Sequence, residues 1–437
     1  MDGPLSDGRR VAAGPASVDS LDGAADGVAV SADAGGDAPT VTFRWWICGL
    51  LFAATTINYI DRQVLGVLAP DLGRIIGWNE LQYSYIVSAF QAAYAIGLVC
   101  AGAIIDRLGA RIGYALAIGV WSLAAIGHSF ATTALGFGVA RFFLGLGEAG
   151  NMPAAVKTVA EWFPRRERAL ATGIFNAGTS VGAVLAPLFV PIVAVTWGWR
   201  AAFVFTSVLS ATWLVLWLKT YRPAPQSQAD SGAKPRWIEL LQHRQAWAFV
   251  AGKVITDPIW WVFLFWLPKF LHQEYGLSLL NLGPPLIVIY LMADAGSVAG
   301  GWLAGRFLRR GWSVNRARKT TLLICASTVT PIVLSFQAHS LWLAVGLIGL
   351  ATAAHQGWSV NLFTLPSDLF PQRAVASVVG LGGFGGAVSG MCFSTLTGLL
   401  LQTTGSYIPI FIMAATAYLV ALAVIHLLVP RMAPAPI

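Results

Sequence analysis

The chain has 437 residues, 56% of them hydrophobic and only 11% charged, with a mean hydropathy of +0.67. Soluble domains carry about 25% charged residues, so this composition excludes a soluble enzyme, a disordered chain and a coiled coil. The net charge of +8 would suggest nucleic acid in a soluble protein, but apolar residues run along nearly the whole chain, and basic loops are normal for a polytopic membrane protein.

Residues 1–42 read as a disordered cytoplasmic tail. The first forty are rich in Gly, Ala and Ser, include seven Asp, and lack the apolar stretch of a signal peptide. Apolar runs follow at 45–68, 82–104, 112–131, 134–157, 169–195 and 199–221. The polar stretch 222–245 reads as a cytoplasmic linker. Further runs lie at 246–271, 283–305, 320–337, 341–363, 374–401 and 407–430, before a short tail, 431–437. At about 20 residues per crossing, this predicts an all-α membrane protein of twelve transmembrane helices in two six-helix bundles, 43–221 and 246–430. Twenty-one Lys and Arg fall in one set of loops and tails, against Arg74, Arg200 and Lys269 in the other. The positive-inside rule places both termini in the cytoplasm.

The two halves repeat. Gly102-Ala-Ile-Ile-Asp106-Arg107 ends span 2, and Gly301-Trp-Leu-Ala-Gly305-Arg306 ends span 8. Glu161-Trp-Phe-Pro164 closes span 4, and Asp368-Leu-Phe-Pro371 closes span 10. Such a repeat implies two similar bundles with a binding site between them near the midplane. The buried charges are too few and too uneven for a ring-lined channel.

Ionisable groups inside a bilayer cost several kcal/mol and are functional candidates. Asp61, Arg62, Arg141, Glu148, Asp257 and Asp294 lie well inside spans, and Lys253 lies nearer the inner end of span 7. Arg141 and Glu148, seven residues apart, share a helix face. Arg62 and Arg141 suit an anion, since a guanidinium fork holds a carboxylate bidentately. An anion claiming an arginine would change the proton affinity of Asp61 or Glu148, which is the coupling a proton symporter needs. Asp106, Arg107 and Arg111 at a span end form a gate or a packing element. Asp257 and Asp294 each either pair with Lys253 or hold backbone near Pro258.

Gln91, Tyr94, Asn176, Thr179, His355 and Gln356 are polar groups inside spans, where they either join helices or satisfy ligand hydroxyls. Trp260, Trp261 and Trp358 either pack the core or stack on a sugar ring. The glycine-rich span 11 (Gly380, Gly382, Gly383, Gly385, Gly386 and Gly390) permits close helix approach and bending. Cys48, Cys100, Cys325 and Cys392 show no metal or redox spacing. No metal site, cofactor or nucleophile constellation is expected.

Gly102-x-x-x-Asp106-Arg107-x-Gly109-x-Arg111 and Arg141-Phe-Phe-Leu-Gly145 resemble motifs of the major facilitator superfamily. Within it, Asn58-Tyr-Ile-Asp61-Arg62, Glu148-Ala-Gly150-Asn151-Met-Pro153 and Glu161-Trp-Phe-Pro164 resemble the anion:cation symporter family. Gln82-Tyr-Ser-Tyr-Ile86, Asp257-Pro-Ile-Trp260 and Ala354-His355-Gln356 are most similar to hexuronate transporters. The resemblance implies import of a sugar acid, such as glucuronate or galacturonate, with protons through a bacterial inner membrane by a functional monomer in contact with lipid. It implies protonation at Asp61 and Glu148 and substrate contacts from Arg62, Arg141, Tyr94, Thr179 and Trp358. Thr179 and His355 depart from the Gln and Ser of the galactonate type, which leaves the sugar open. Another organic anion, or anion exchange, is the alternative. A membrane sensor is disfavoured, because the linker and tail are too short for a typical signalling domain.

Overall fold

The computed structural model of the protein describes residues 38–222 and 237–435. The expected tail and linker therefore fall largely outside the described residues. Where they can be compared, helix replaces them: span 1 already begins at Ala38, and Trp237–Leu240 forms one helical turn ahead of span 7.

Local chemistry sets the element boundaries. Span 1 is Ala38–Ile76 and span 2 is Glu80–Ile105. Asn79 caps span 2 in a reciprocal box with Gln82, which satisfies two otherwise orphaned N–H groups. Gly109, at φ 77°, turns the chain between span 2 and span 3, Arg107–Phe130; Gly311, at φ 80°, sits at the matching corner between spans 8 and 9. A side chain at either position would be strained.

Span 4 comes in two pieces, Ala134–Glu148 and Asn151–Trp162. Pro153 explains the break, because it has no N–H for the carbonyl four residues back, at Ala149. A β-carbon at Gly150 would also collide with Ala117 of span 3. Spans 5 and 6 are Arg165–Trp197 and Trp199–Thr220.

The second half repeats the scheme. Span 7 is Arg244–Phe265, followed by a short helix, Leu267–Tyr275; span 8 is Gly283–Arg309 and span 9 begins with Val314–Val329. Spans 10, 11 and 12 are Leu341–Leu369, Gln372–Thr404 and Ile408–Leu428. The repeated Phe-Pro steps become matching turns. Phe163 and Phe370 are extended, and Pro164 and Pro371 open spans 5 and 11 with nearly identical backbone angles.

Nine helices among the described residues are long and apolar enough to cross a membrane. The fold supplies three more crossings: span 4, which is interrupted, and spans 1 and 10, which carry Asn58, Asp61, Arg62 and Gln63, and His355, Gln356 and Asn361. Asn58 and Arg62, which lower the apolar character of span 1, belong to the charge cluster described below.

Residues Phe43–Ile437 hold together as one compact unit. The halves meet chiefly where span 11 packs on the span 2–3 helix and span 8 packs on span 5. At the Arg-poor end, polar contacts cross between halves. Lys269 Nζ donates to Glu80 at 2.6 Å and Gln273 donates to the same carboxylate at 3.3 Å; within the second half, Tyr407 in turn donates to Gln273 at 2.8 Å. Burial pulls the Lys269 ammonium below the ordinary lysine range, and Glu80 opposes that shift. Tyr83 donates to the Phe265 carbonyl at 2.6 Å. At the Arg-rich end, the described contacts run within one half: Arg111 to the Leu218 carbonyl at 2.7 Å, Arg318 to Asp368 at 2.9 Å, and Lys319 to the Val429 and Pro430 carbonyls.

Candidate functional site

A buried charge cluster forms where spans 1 and 4 meet, against span 7 of the other half. Arg62 Nε and Nη2 both approach Glu148 Oε2 at 2.9 Å, and Arg62 Nη2 also donates to Asn58 Oδ1 at 3.4 Å. Four rings surround the guanidinium at 4.9–5.5 Å: Tyr59, Phe90, Tyr94 and Trp261. Trp261 belongs to span 7, so both halves enclose this cation. Desolvated cation–ring contacts of this type contribute about 2 kcal/mol or more.

Arg141 lies beside it and donates to the Arg62 carbonyl at 3.1 Å. The rings of Phe90 and Phe265 flank its guanidinium. Shared-face geometry within span 4 suggested an Arg141–Glu148 pair; the structure gives Glu148 to Arg62 across spans. Heptad spacing defines a helix face but not the partner opposite.

Several buried polar atoms here have no protein partner: Arg141 Nε and Nη2, Glu148 Oε1, Asn58 Nδ2, and both side-chain polar atoms of Gln91. Leaving such groups unpaired costs about 1–3 kcal/mol each. Arg141, Glu148 and Asn58 are linked through Arg62 into one cluster.

The remaining sequence candidates separate into groups. Asp61 turns away from Arg62 into the N-half, where Ser210 donates to its Oδ2 at 3.0 Å and Oδ1 is unpartnered. Adjacent residues on a helix point about 100° apart, so Asp61 and Arg62 cannot share one face. Tyr94 is half-buried and stacks on Phe90. Asn176 is exposed, and Thr179 bonds back to its carbonyl at 2.8 Å. One turn beyond Asn176, Ser180 donates to Asp294 of span 8 across the halves. Asp294 therefore joins Ser180, while Asp257 pairs with Lys253 at 2.7 Å.

In the C-half, His355 is buried, stacked on Trp260 with ring centroids 5.1 Å apart, and bonded through Nδ1 to Tyr418 Oη at 2.6 Å. Gln356 is half-buried. Trp358 is fully buried against Tyr418, and its Nε1 has no protein partner. Arg107 is exposed. Arg111 ties span 3 to span 6, an arrangement that Trp217 completes by donating to the Arg111 carbonyl at 3.1 Å. The backbone of Asp106 is helical, and its side chain lies outside the described residues.

Sequence reasoning left out Tyr59 as a site residue and the Glu80–Lys269 contact. Tyr59 lies three residues before Arg62, on the same face of span 1, and that spacing was the available signal. Among the described residues no group of His, Cys, Asp and Glu could hold a metal ion.

Comparison with known proteins agrees with this architecture. Residues 51–393 match the Major Facilitator Superfamily. The chain is 30% identical over 394 residues to a hexuronate transporter of Escherichia coli K12, covering 85% of this chain and 90% of the relative. It is 30% identical over 331 residues to a galacturonate transporter of Dickeya chrysanthemi, covering 71% and 92%. The fold matches an inward-facing, occupied bacterial homologue of the human lysosomal transporter Spinster, with TM-score 0.74, 19% identity and coverage of 88% and 97%.

Proposed function

Because the chain belongs to the Major Facilitator Superfamily, and is therefore a multi-pass membrane transporter and not an enzyme, we propose that it imports a sugar acid, such as glucuronate or galacturonate, by proton symport with alternating access. The observation that carries this reading is the Arg62–Glu148–Arg141 cluster, closed on one side by Trp261 of the opposite half. The hexuronate and galacturonate relatives support the choice of substrate.

In this reading the substrate carboxylate takes the free edge of Arg141, whose Nε and Nη2 have no protein partner. Two parallel N–H donors match a carboxylate in geometry and charge. Gln91 and Asn58 offer hydrogen bonds to hydroxyls, and Tyr94 and Trp261 offer faces to the sugar ring. The anion weakens the hold of Arg62 on Glu148, which then takes a proton, so anion and proton enter together. Asp61, bonded to Ser210 on the far side of span 1, is a second protonation site acting within the N-half. The working unit is a monomer in a bacterial inner membrane, with both termini and the Arg-rich end in the cytoplasm, as the Lys/Arg asymmetry requires. Arg111 braces spans 3 and 6 as part of a gate with Arg107 and Asp106.

Calorimetry on the purified protein with galacturonate, glucuronate and glucose tests the reading. The two acids are expected to bind and glucose is not. Glucose binding as tightly as glucuronate would refute it.

A further inference from the structure

The mechanism above leaves an ion pair on span 7 unused. Lys253 and Asp257 sit one turn apart on span 7, with side chains 8% and 18% exposed and N–O at 2.7 Å. The Lys253 ammonium lies 4.3 Å from the Phe363 ring centroid on span 10. The Asp257 carboxylate nests over Gly386 of span 11, where any β-carbon would strike it. Asp257 lies four residues before Trp261, so the two share a face of span 7, and the Trp261 ring is 5.5 Å from the Arg62 guanidinium. Four residues rise about 6 Å along the axis, the scale of a six-carbon backbone. Trp260, three residues after Asp257 on span 7, stacks on His355 of span 10.

We propose that Lys253 and Asp257 form a specificity-determining pair that receives the end of the substrate opposite its carboxylate and selects sugar acids with one carboxylate over those with two. This rests on the sugar-acid reading above. The two side chains together offer ammonium donors and carboxylate acceptors, which suit a hydroxyl-bearing end. Their charges cancel. A second carboxylate would meet Asp257 at close range and find Lys253 already neutralised, and buried like charges repel strongly. The arginine cluster has unpaired donors; the span 7 pair has no cation to spare. Discrimination of this kind works by a repulsive element as much as an attractive one.

The test compares galacturonate with galactarate by calorimetry on the full-length protein in nanodiscs. The parent is expected to bind galacturonate at least about tenfold tighter. Asp257→Asn frees Lys253, and should shift the ratio towards galactarate by about tenfold or more. Lys253→Gln should shift it the other way. If either variant fails to fold, the double substitution, which buries no net charge, should still fold and should lose most of the preference. A parent that binds galacturonate, with an Asp257→Asn or double-variant ratio unchanged, overturns the pair's role alone. A parent that binds neither acid overturns the sugar-acid reading and this inference with it.

Discussion

The two halves of this molecule house buried charge in different ways. In the N-half, Arg62 on span 1 meets Glu148 on span 4, Arg141 reaches back to the span 1 backbone, and several donors and acceptors stay unpaired. In the C-half, Lys253 and Asp257 pair within one helical turn, closed over by a ring and a glycine. An ion pair between helices depends on how those helices are placed. One within a helix travels with it. Charges that must respond to a ligand belong to the first kind, and charges that shape a wall belong to the second.

The largest expected effect falls on the interhelical side. Arg141→Ala and, separately, Arg62→Ala should weaken sugar-acid binding by about 2–5 kcal/mol, because each leaves a buried charge unpaired, or at least about thirtyfold in Kd. Lysine at either position should restore only part of this, since an ammonium lacks the planar fork. Normal calorimetric binding by Arg141→Ala would end the distinction between the halves.

Glu148→Gln should keep substrate binding and exchange while losing uptake driven by a pH gradient, measured in proteoliposomes with labelled galacturonate. Asp61→Asn should impair uptake less, because Asp61 faces Ser210 and not the cavity. Gradient-driven accumulation by both variants at the parent level would remove proton coupling from this cluster.

Much of this was legible in the sequence. The twelve crossings, the repeated Phe-Pro exits and the burial of Asp61, Arg62, Arg141 and Glu148 within spans all followed from hydropathy, charge and spacing. The pairing was not. Seven-residue spacing placed Arg141 beside Glu148, but Glu148 prefers the guanidinium approaching from span 1. Neighbours in sequence, Asp61 and Arg62, serve opposite sides of one helix. Trp358 was a ring-stacking candidate; the ring it meets in the fold, Tyr418, lies sixty residues further along the chain. Lys269 entered only as one of three cations in sparse loops. Its partner, Glu80, is almost two hundred residues away, and only the packed halves bring them together.

Two smaller effects sharpen the contrast. Gly386→Ala forces a β-carbon onto Asp257, so it should disturb the span 7 pair while sparing the arginines. Overpacking of this kind costs about 1–3 kcal/mol, readable as a lowered Tm with Arg62-dependent binding retained. Smaller still is the cross-half contact at the Arg-poor end. Glu80→Gln keeps an acceptor for the largely buried Lys269 but removes its counter-ion, replacing a charge-assisted hydrogen bond by a neutral one at a cost of about 1 kcal/mol. That should shift the balance of conformers up to about fivefold, read as faster thiol labelling of a cysteine placed at Ser88, beneath the Tyr83–Phe265 contact. Unchanged labelling would show that the apolar packing alone holds that end shut.

The polar character of span 1 also bears on how the chain enters the membrane. A central Asp or Arg costs about 2.5–3.5 kcal/mol on insertion, whereas each Leu or Ile returns only about 0.3–0.6. Span 1, with Asp61 beside Arg62, is therefore badly suited to enter lipid by itself. Its counter-ion arrives with span 4, and the hydroxyl that meets Asp61 arrives with span 6. The first helix made must wait, shielded at the insertion machinery, until most of its half has been synthesised. Span 7 brings its own counter-ion and needs no such delay. The residues proposed to hold the anion thus also make the first half a single unit of membrane assembly.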